Sequence, residues 1–246
     1  MSSVNRQYNY IPDTPDARDF PFKPNPDILN NLPSSVDLRK SRGVFPPVYD
    51  QGTLNSCTAN AISGVIYFDM IKQKLPRVFN PSRLFVYYNE RVIENTVGAP
   101  GFKGHGAPVT MRDCIRTVNK YGYCSERLWP YDENQINTKP SNDAFTMASH
   151  NRTYIYQRIT LDLNHFMACL AEGFPFVFGM RIYESYHFPQ VTQTGDIPLP
   201  DDLEAMLGGH AVAAVGYDAN KRQIIIRNSF GKDWGDNGYG TLPYEY

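Results

Sequence analysis

Between residues 57 and 72 apolar side chains recur on more than one helical face: Ala61, Val65 and Phe68 share one, and Ile62, Ile66 and Met70 share another. A helix that is apolar on several sides belongs inside a core, so this pattern predicts a central buried helix. Pro81, Ser82 and Arg83 precede Leu84, Phe85, Tyr87, Tyr88 and Val92, which predicts a second helix opening on Pro81. Thr110 to Lys120 predicts a third, stopped ahead of Gly122, and the glycine-rich stretch 98–106 between them reads as a loop. After Trp129-Pro130-Tyr131 the texture changes. Residues 154–160 and 175–181 read as strands around a short helix at 164–172, and 211–217 and 223–227 as two stronger strands. The expected fold is α+β: a helical part at about 50–130 packed on a β-rich part at about 131–246, with a cleft between them.

Residues 1–36 are different. Pro12, Pro15, Pro21, Pro24, Pro26 and Pro33 punctuate a polar stretch without helical or alternating periodicity, so an extended arm is expected ahead of a globular unit from residue 37. Tyr8, Tyr10, Ile11, Phe20 and Phe22 are its candidate apolar anchors.

Composition narrows the function classes. At 246 residues, 41% hydrophobic and 20% charged, the chain can bury a sizeable core. A net charge of −1 gives no electrostatic reason to expect nucleic acid or an anionic membrane as partner. No apolar leader follows Met1 and no run approaches a membrane span, so a cytoplasmic monomer is the default expectation. Cys57, Cys114, Cys124 and Cys169 form no Cys-x-x-Cys pair, and the five histidines do not cluster, so neither a metal nor a cofactor is expected.

Candidate chemistry begins at Cys57, on the first turn of the predicted central helix, where exposed amides and the helix dipole favour a thiolate. Gln51, six residues earlier, could donate its amide to an oxyanion together with the Cys57 backbone N–H. Taken alone, each residue is more often structural. The strands 211–217 and 223–227 are joined by the polar link 218–222, as in an antiparallel hairpin. If that turn centres near Ala219, His210 and Asn228 face each other, and an Asn carbonyl beside a His can aim its other ring nitrogen at a thiol.

These segments resemble the papain-like cysteine proteases, closest to their compact bacterial branch, over most of the chain from about Pro33. Pro47-Val48-Tyr49-Asp50-Gln51-Gly52 is similar to the segment carrying the oxyanion glutamine, and Asn55-Ser56-Cys57 to the nucleophile motif. His210 to Tyr217 is similar to the histidine strand, and Asn228-Ser229-Phe230-Gly231 with Trp234 to Tyr239 to the asparagine segment. The resemblance implies a helical left subdomain, a β-barrel-like right subdomain, and peptide hydrolysis through a Cys57 acyl-enzyme. In it His210 shuttles the proton, Asn228 orients His210 and Gln51 stabilises the oxyanion. It implies that Trp234 helps cover the His–Asn pair, against a plain core role, and that Gly104, Gly106 and Pro108 line the substrate backbone, against ordinary loop roles. Gly209 would open the pocket beside His210. The partner would be a peptide or protein substrate, with the chain's own arm as an intramolecular inhibitor. A transpeptidase or amidase of the same chemistry, or a catalytically silent peptide-binding homologue, are the alternatives.

The chain also departs from the family pattern. Asn55 and Thr58 replace a common Gly and Trp, Leu54 replaces a common disulfide cysteine, and Phe230 replaces the Trp after Asn-Ser. The expectation for Asn55 is that its tolerance of the left-handed conformation preserves the turn.

Overall fold

The computed structural model describes residues 6, 8–40, 44–100, 106–153 and 155–246. Helix α1 (Pro26–Asn30) and strand β1 (Ser35–Asp37) lie within the N-terminal arm. Helices α2 (Cys57–Lys72), α3 (Arg83–Ile93) and α4 (Met111–Lys120) build the helical part, and α5 (Asn142–Ser149), beyond the expected boundary at about 130, packs Ala144 and Ala148 with Phe85 of α3. The second half holds α6 (Leu163–Ala171), β2 (Phe176–Tyr183), α7 (Pro189–Thr194), β3 (Met206–Asp218), β4 (Gln223–Arg227) and β5 (Tyr239–Pro243). The α+β expectation holds. All strand pairs are antiparallel, in the order β1-β3-β4-β5 with β2 on β3.

Helix α2 is the shared wall. Twelve of its sixteen residues are buried, as its two-sided apolar pattern demands. One side packs Ile62, Ile66 and Met70 against Leu84 and Val86 of α3 and Cys114 and Val118 of α4. The other side packs Val65 against Ala213 and Val215 of β3. A buried valine there contributes about 1.5–3 kcal/mol of transfer free energy. Gly64 lets Arg227 of β4 approach, since a Cβ at that position would lie 3.1 Å from its Nε. Strand β3 is buried from His210 to Tyr217 because Val212, Ala214 and Tyr217 face the core under α6 and α7 while Ala213 and Val215 face α2. Its unbroken apolar run is the signature of a strand covered on both faces.

Several local expectations are corrected. Helix α3 starts at Arg83, two residues after Pro81, because Ser82 is its cap and accepts from the Phe85 N–H at 3.1 Å. Thr110 likewise caps α4, accepting from the Asp113 N–H, and Gly122 beyond its end is left-handed. Within 154–160 the described residues form no strand; Arg158 instead exchanges backbone hydrogen bonds with Phe20 and Phe22 of the arm. Nor is the arm extended throughout. Pro26 starts α1 behind the Asn25 cap, and Val36 pairs with Tyr217 at the edge of the sheet.

Candidate active site

Cys57 is the first residue of α2 and is 5% exposed. Its cap, Ser56, bonds no backbone N–H of the helix with its side chain, because its Oγ meets Tyr131 Oη at 2.6 Å and accepts from the Asn60 side chain, Nδ2, at 2.9 Å. The thiol packs with Met111 of α4 and Ala211 of β3, and the Ala211 N–H donates to it. Helix head and strand therefore meet at the sulfur.

His210 sits one residue before Ala211, paired across to Met180 of β2 and 1% exposed. Its Nε2 lies 2.9 Å from Asn228 Oδ1. The pair meets, but not through the register expected. Strands β3 and β4 pair Asp218 with Gln223 and Tyr217 with Ile224, then slip at Val215 so that Ala213 faces Arg227. The turn is centred between Asn220 and Lys221, which would set Ala213 opposite Asn228; the bulge, one extra residue on β3, takes back one position and leaves His210 two residues beyond the point opposite Asn228. Asn228 has left the ladder and reaches back diagonally, its own N–H donating to Gly238 O. The Asn228 amide is fixed from both ends: Oδ1 accepts from the Ser229 N–H at 2.8 Å, and Nδ2 donates to Tyr186 Oη at 3.0 Å. That assigns the amide oxygen to His210, so Nε2 carries the hydrogen and Nδ1 is left for the thiol side.

The segment around Gln51 pairs with the segment after Asn228. The Gln51 N–H donates to Ser229 O at 2.9 Å and the Gly231 N–H to Tyr49 O at 2.8 Å. The Gln51 side chain is locked as well, accepting from Ser229 Oγ at 2.6 Å and donating to Leu54 O at 2.9 Å. Cys57, His210, Asn228 and Gln51 thus lie together where α2 abuts β3.

The remaining candidates divide. Gly104 lies outside the described residues. Gly106 is left-handed, and a Cβ there would lie 2.3 Å from Tyr87 Oη, so its glycine is required by packing beneath the loop. Its carbonyl accepts from Asn55 Nδ2 at 2.7 Å. Asn55 is not among the left-handed residues, so it serves through this side-chain bond rather than through backbone tolerance. Pro108 is half-buried in the strip leading to α4. Trp234 is buried one layer back, stacked on Tyr186 at 5.9 Å, while the ring lying on His210 is Phe230, at 4.9 Å between centroids.

Gly209 is covered by the arm. Beyond the end of β4 the free edge of β3 is taken by residues 8–10: the Tyr10 N–H donates to Gly209 O and the Gly209 N–H to Tyr8 O, both at 3.0 Å. A Cβ at Gly208 would lie 1.9 Å from Tyr8 O, and one at Gly179 would lie 2.0 Å from the Tyr10 ring, so these glycines make the seat. Tyr8 is buried among His210, Tyr186, His187 and Phe230, and Tyr10 packs with the Cys57–Met111–Ala211 group. Arg6 pairs with Asp50 at 3.0 Å and lies 4.3 Å over the Phe230 ring. Further along, Asp13 accepts from the Arg112 N–H, and Asp19 pairs with Arg112 at 2.8 Å. Ile11 and Phe20 are exposed rather than anchoring, and Phe22 docks on the core behind the sheet.

Burial sets the electrostatics. It pushes the Cys57 thiol up to about 12, against the Ala211 hydrogen bond, and holds His210 down to about 4, against its bond to Asn228. Under the arm the thiol and the imidazole are both neutral.

Tyr186 and Ser229 were not foreseen as site residues. Ser229 lies within the Asn228-Ser229-Phe230-Gly231 segment, but Tyr186 stands in the polar stretch Glu184–His187, with no periodicity to mark it.

Comparison with known proteins agrees with this geometry. Residues 32–245 match the family described as papain family cysteine protease. A peptidase C1-like protein of Acanthamoeba polyphaga mimivirus is 39% identical over all of this chain and 84% of its own length. The crystal structure of xylellain, a cysteine protease from Xylella fastidiosa, has a TM-score of 0.87 at 39% identity, covering 97% of this chain and 90% of that one. Chymopapain of Carica papaya is 25% identical over 92% of this chain, which spans 58% of chymopapain's length. The chain belongs to the papain family and is a cysteine-type peptidase.

Proposed function

We propose that the protein is an endopeptidase working through a Cys57 thioester, and that residues 6–13 hold it inactive until the arm is removed. The observation that carries the reading is the fixed line Tyr186–Asn228–His210, one residue along β3 from Ala211, which packs on the Cys57 thiol at the head of α2. The Cys57 thiolate attacks the scissile carbonyl carbon and the oxyanion takes hydrogen bonds from the Cys57 N–H and the Gln51 amide. The His210 imidazolium then protonates the departing amine, leaving a thioester. Imidazole next takes a proton from water, whose attack on the thioester frees the acid and restores the thiol. With Gln51 Oε1 held by Ser229, its amide nitrogen faces the Leu54–Cys57 side throughout, so no reorientation is needed when charge develops.

The arm contacts support inhibition in two ways: they occupy the strand edge that an extended peptide would use, and they dehydrate the thiol–imidazole couple. Its ion pairs are partly exposed and each contributes about 0–1 kcal/mol, so the rings of Tyr8 and Tyr10 carry most of the hold. An epoxysuccinyl probe followed by peptide mapping tests the nucleophile; labelling elsewhere than Cys57 refutes the assignment. Mass spectrometry of products with an added amine separates hydrolysis from acyl transfer.

Asn228 positions His210 without touching substrate, so Asn228→Ala lowers kcat more than it raises KM. A hydrogen bond to a group that becomes charged is worth about 1.5–3 kcal/mol, or roughly 10- to 150-fold in kcat. The loss is smaller than for His210→Ala. Equal losses, or a silent Asn228→Ala, would contradict the role.

A further inference from the structure

Behind the nucleophile lies a carboxyl group that the peptidase chemistry does not use. Glu90 on α3 is fully buried (0% exposed) and has no salt-bridge partner among the described residues. Thr58 Oγ1, one residue along α2 from Cys57, donates to its Oε2 at 3.0 Å. The buried Cys114 thiol of α4 stands against the same carboxyl, and Oε1 has no hydrogen-bond partner. The neighbouring Arg91 is turned away, bonded to Asn137 Oδ1, Tyr87 O and Ile136 O.

A buried carboxylate without a cation carries a heavy desolvation penalty and keeps its proton instead. The head of α2 can stabilise one negative charge by its dipole and free amides. Cys57 and Glu90 both stand at that head, one at the first helical residue and one bonded to the second. Two anions cannot share it cheaply. Resting on the reading of Cys57 as nucleophile, we propose that Glu90 is a positioning residue that must stay protonated for Cys57 to ionise, so that its own ionisation suppresses the thiolate.

The titratable groups around Glu90 are Cys57 of α2, Cys114 of α4, and Tyr87, Arg91 and Glu94 of its own helix, with Asp13 of the arm acting on Cys114. Burial pushes Glu90 up to about 7, against the Cys114 thiol and the Thr58 hydroxyl, and pushes Glu94 up to about 7 as well. The sign follows. Below the Glu90 titration its carboxyl is neutral and Cys57 feels only the helix. Above it, the wild-type thiolate is opposed by a second charge.

The test is the pH profile of Cys57 alkylation by iodoacetamide in the full chain, comparing wild type with Glu90→Gln, which keeps an acceptor for Thr58. Arm opening enters both rates and cancels in their ratio. The expected ratio is near one well below neutral pH and rises to about tenfold above it, the equivalent of one pKa unit. A ratio independent of pH overturns the proposal and leaves Glu90 a packing residue. Thr58→Val gives a second reading: losing the donor that favours the carboxylate moves the bend in the profile to higher pH, and an unmoved bend also overturns it. Absence of labelling at Cys57 in every variant, in a chain beginning at Pro15 as well, would instead refute the nucleophile.

Discussion

Replacing Cys57 by serine leaves a folded protein whose peptide hydrolysis falls by about 10⁴-fold or more, the scale seen when one member of a concerted nucleophile–base pair is removed. The fold should tolerate the change. Serine is smaller by little, suits the first turn of a helix, and keeps an acceptor for the Ala211 N–H. Chemistry does not tolerate it, because a hydroxyl is far harder to ionise than a thiol beside an imidazole. None of the other cysteines can substitute: Cys114 and Cys124 are fully buried, and Cys169 lies in the core under the sheet. The check is steady-state kinetics on purified Cys57→Ser, with circular dichroism to confirm folding. Activity within tenfold of wild type would place the nucleophile elsewhere.

Removing the arm's two rings raises activity by about 100-fold in the initial rate on a small fluorogenic peptide. Tyr8→Ala/Tyr10→Ala forfeits roughly 1.5–3 kcal/mol at the buried Tyr8 ring and less at the half-buried Tyr10 ring, and the closed form loses population accordingly. Gly208→Val should act in the same direction, since the added Cβ drives into Tyr8 O. A chain beginning at Pro15 supplies the deletion. A start near Pro33 is the poorer comparison, because Phe22 and Leu32 pack on the core under the sheet and their loss would destabilise it. Equal rates in all forms before any self-processing, with equal labelling of Cys57, would end the inhibitory reading.

Helix α2, the paired strands and the Gln, Cys, His and Asn positions were legible because each rests on a local rule: two-sided apolar periodicity, apolar runs around a polar turn, motifs in order. What escaped depends on contacts distant in sequence. The β3–β4 turn centres between Asn220 and Lys221, an offset that the polar link 218–222 does not mark, and the Val215 bulge that takes back one residue of it sits inside a uniform apolar run, where an inserted residue changes no pattern. Asn55 was assigned to its backbone because Gly106, fifty-one residues away, could not be seen as its partner. Tyr186 acquires a role only when α7 and Trp234 fold behind it. Residues 154–160 look strand-like in sequence, yet of those described, 155–160, only Arg158 pairs, and its partner is the arm.

The seat of Tyr8 and Tyr10 on Gly209 is made by a segment still joined to the body through residues 20–37, which dock behind the sheet. A short tether gives such a segment an effective concentration on the order of millimolar, whatever the protein concentration. Cut between Tyr10 and Phe22, the same peptide must compete from free solution. At about micromolar protein that is a thousandfold dilution, about 4 kcal/mol against rebinding. A single peptide-bond cleavage would therefore make activation one-way with no change in the groove itself, the direction being supplied by lost connectivity rather than by weakened contacts.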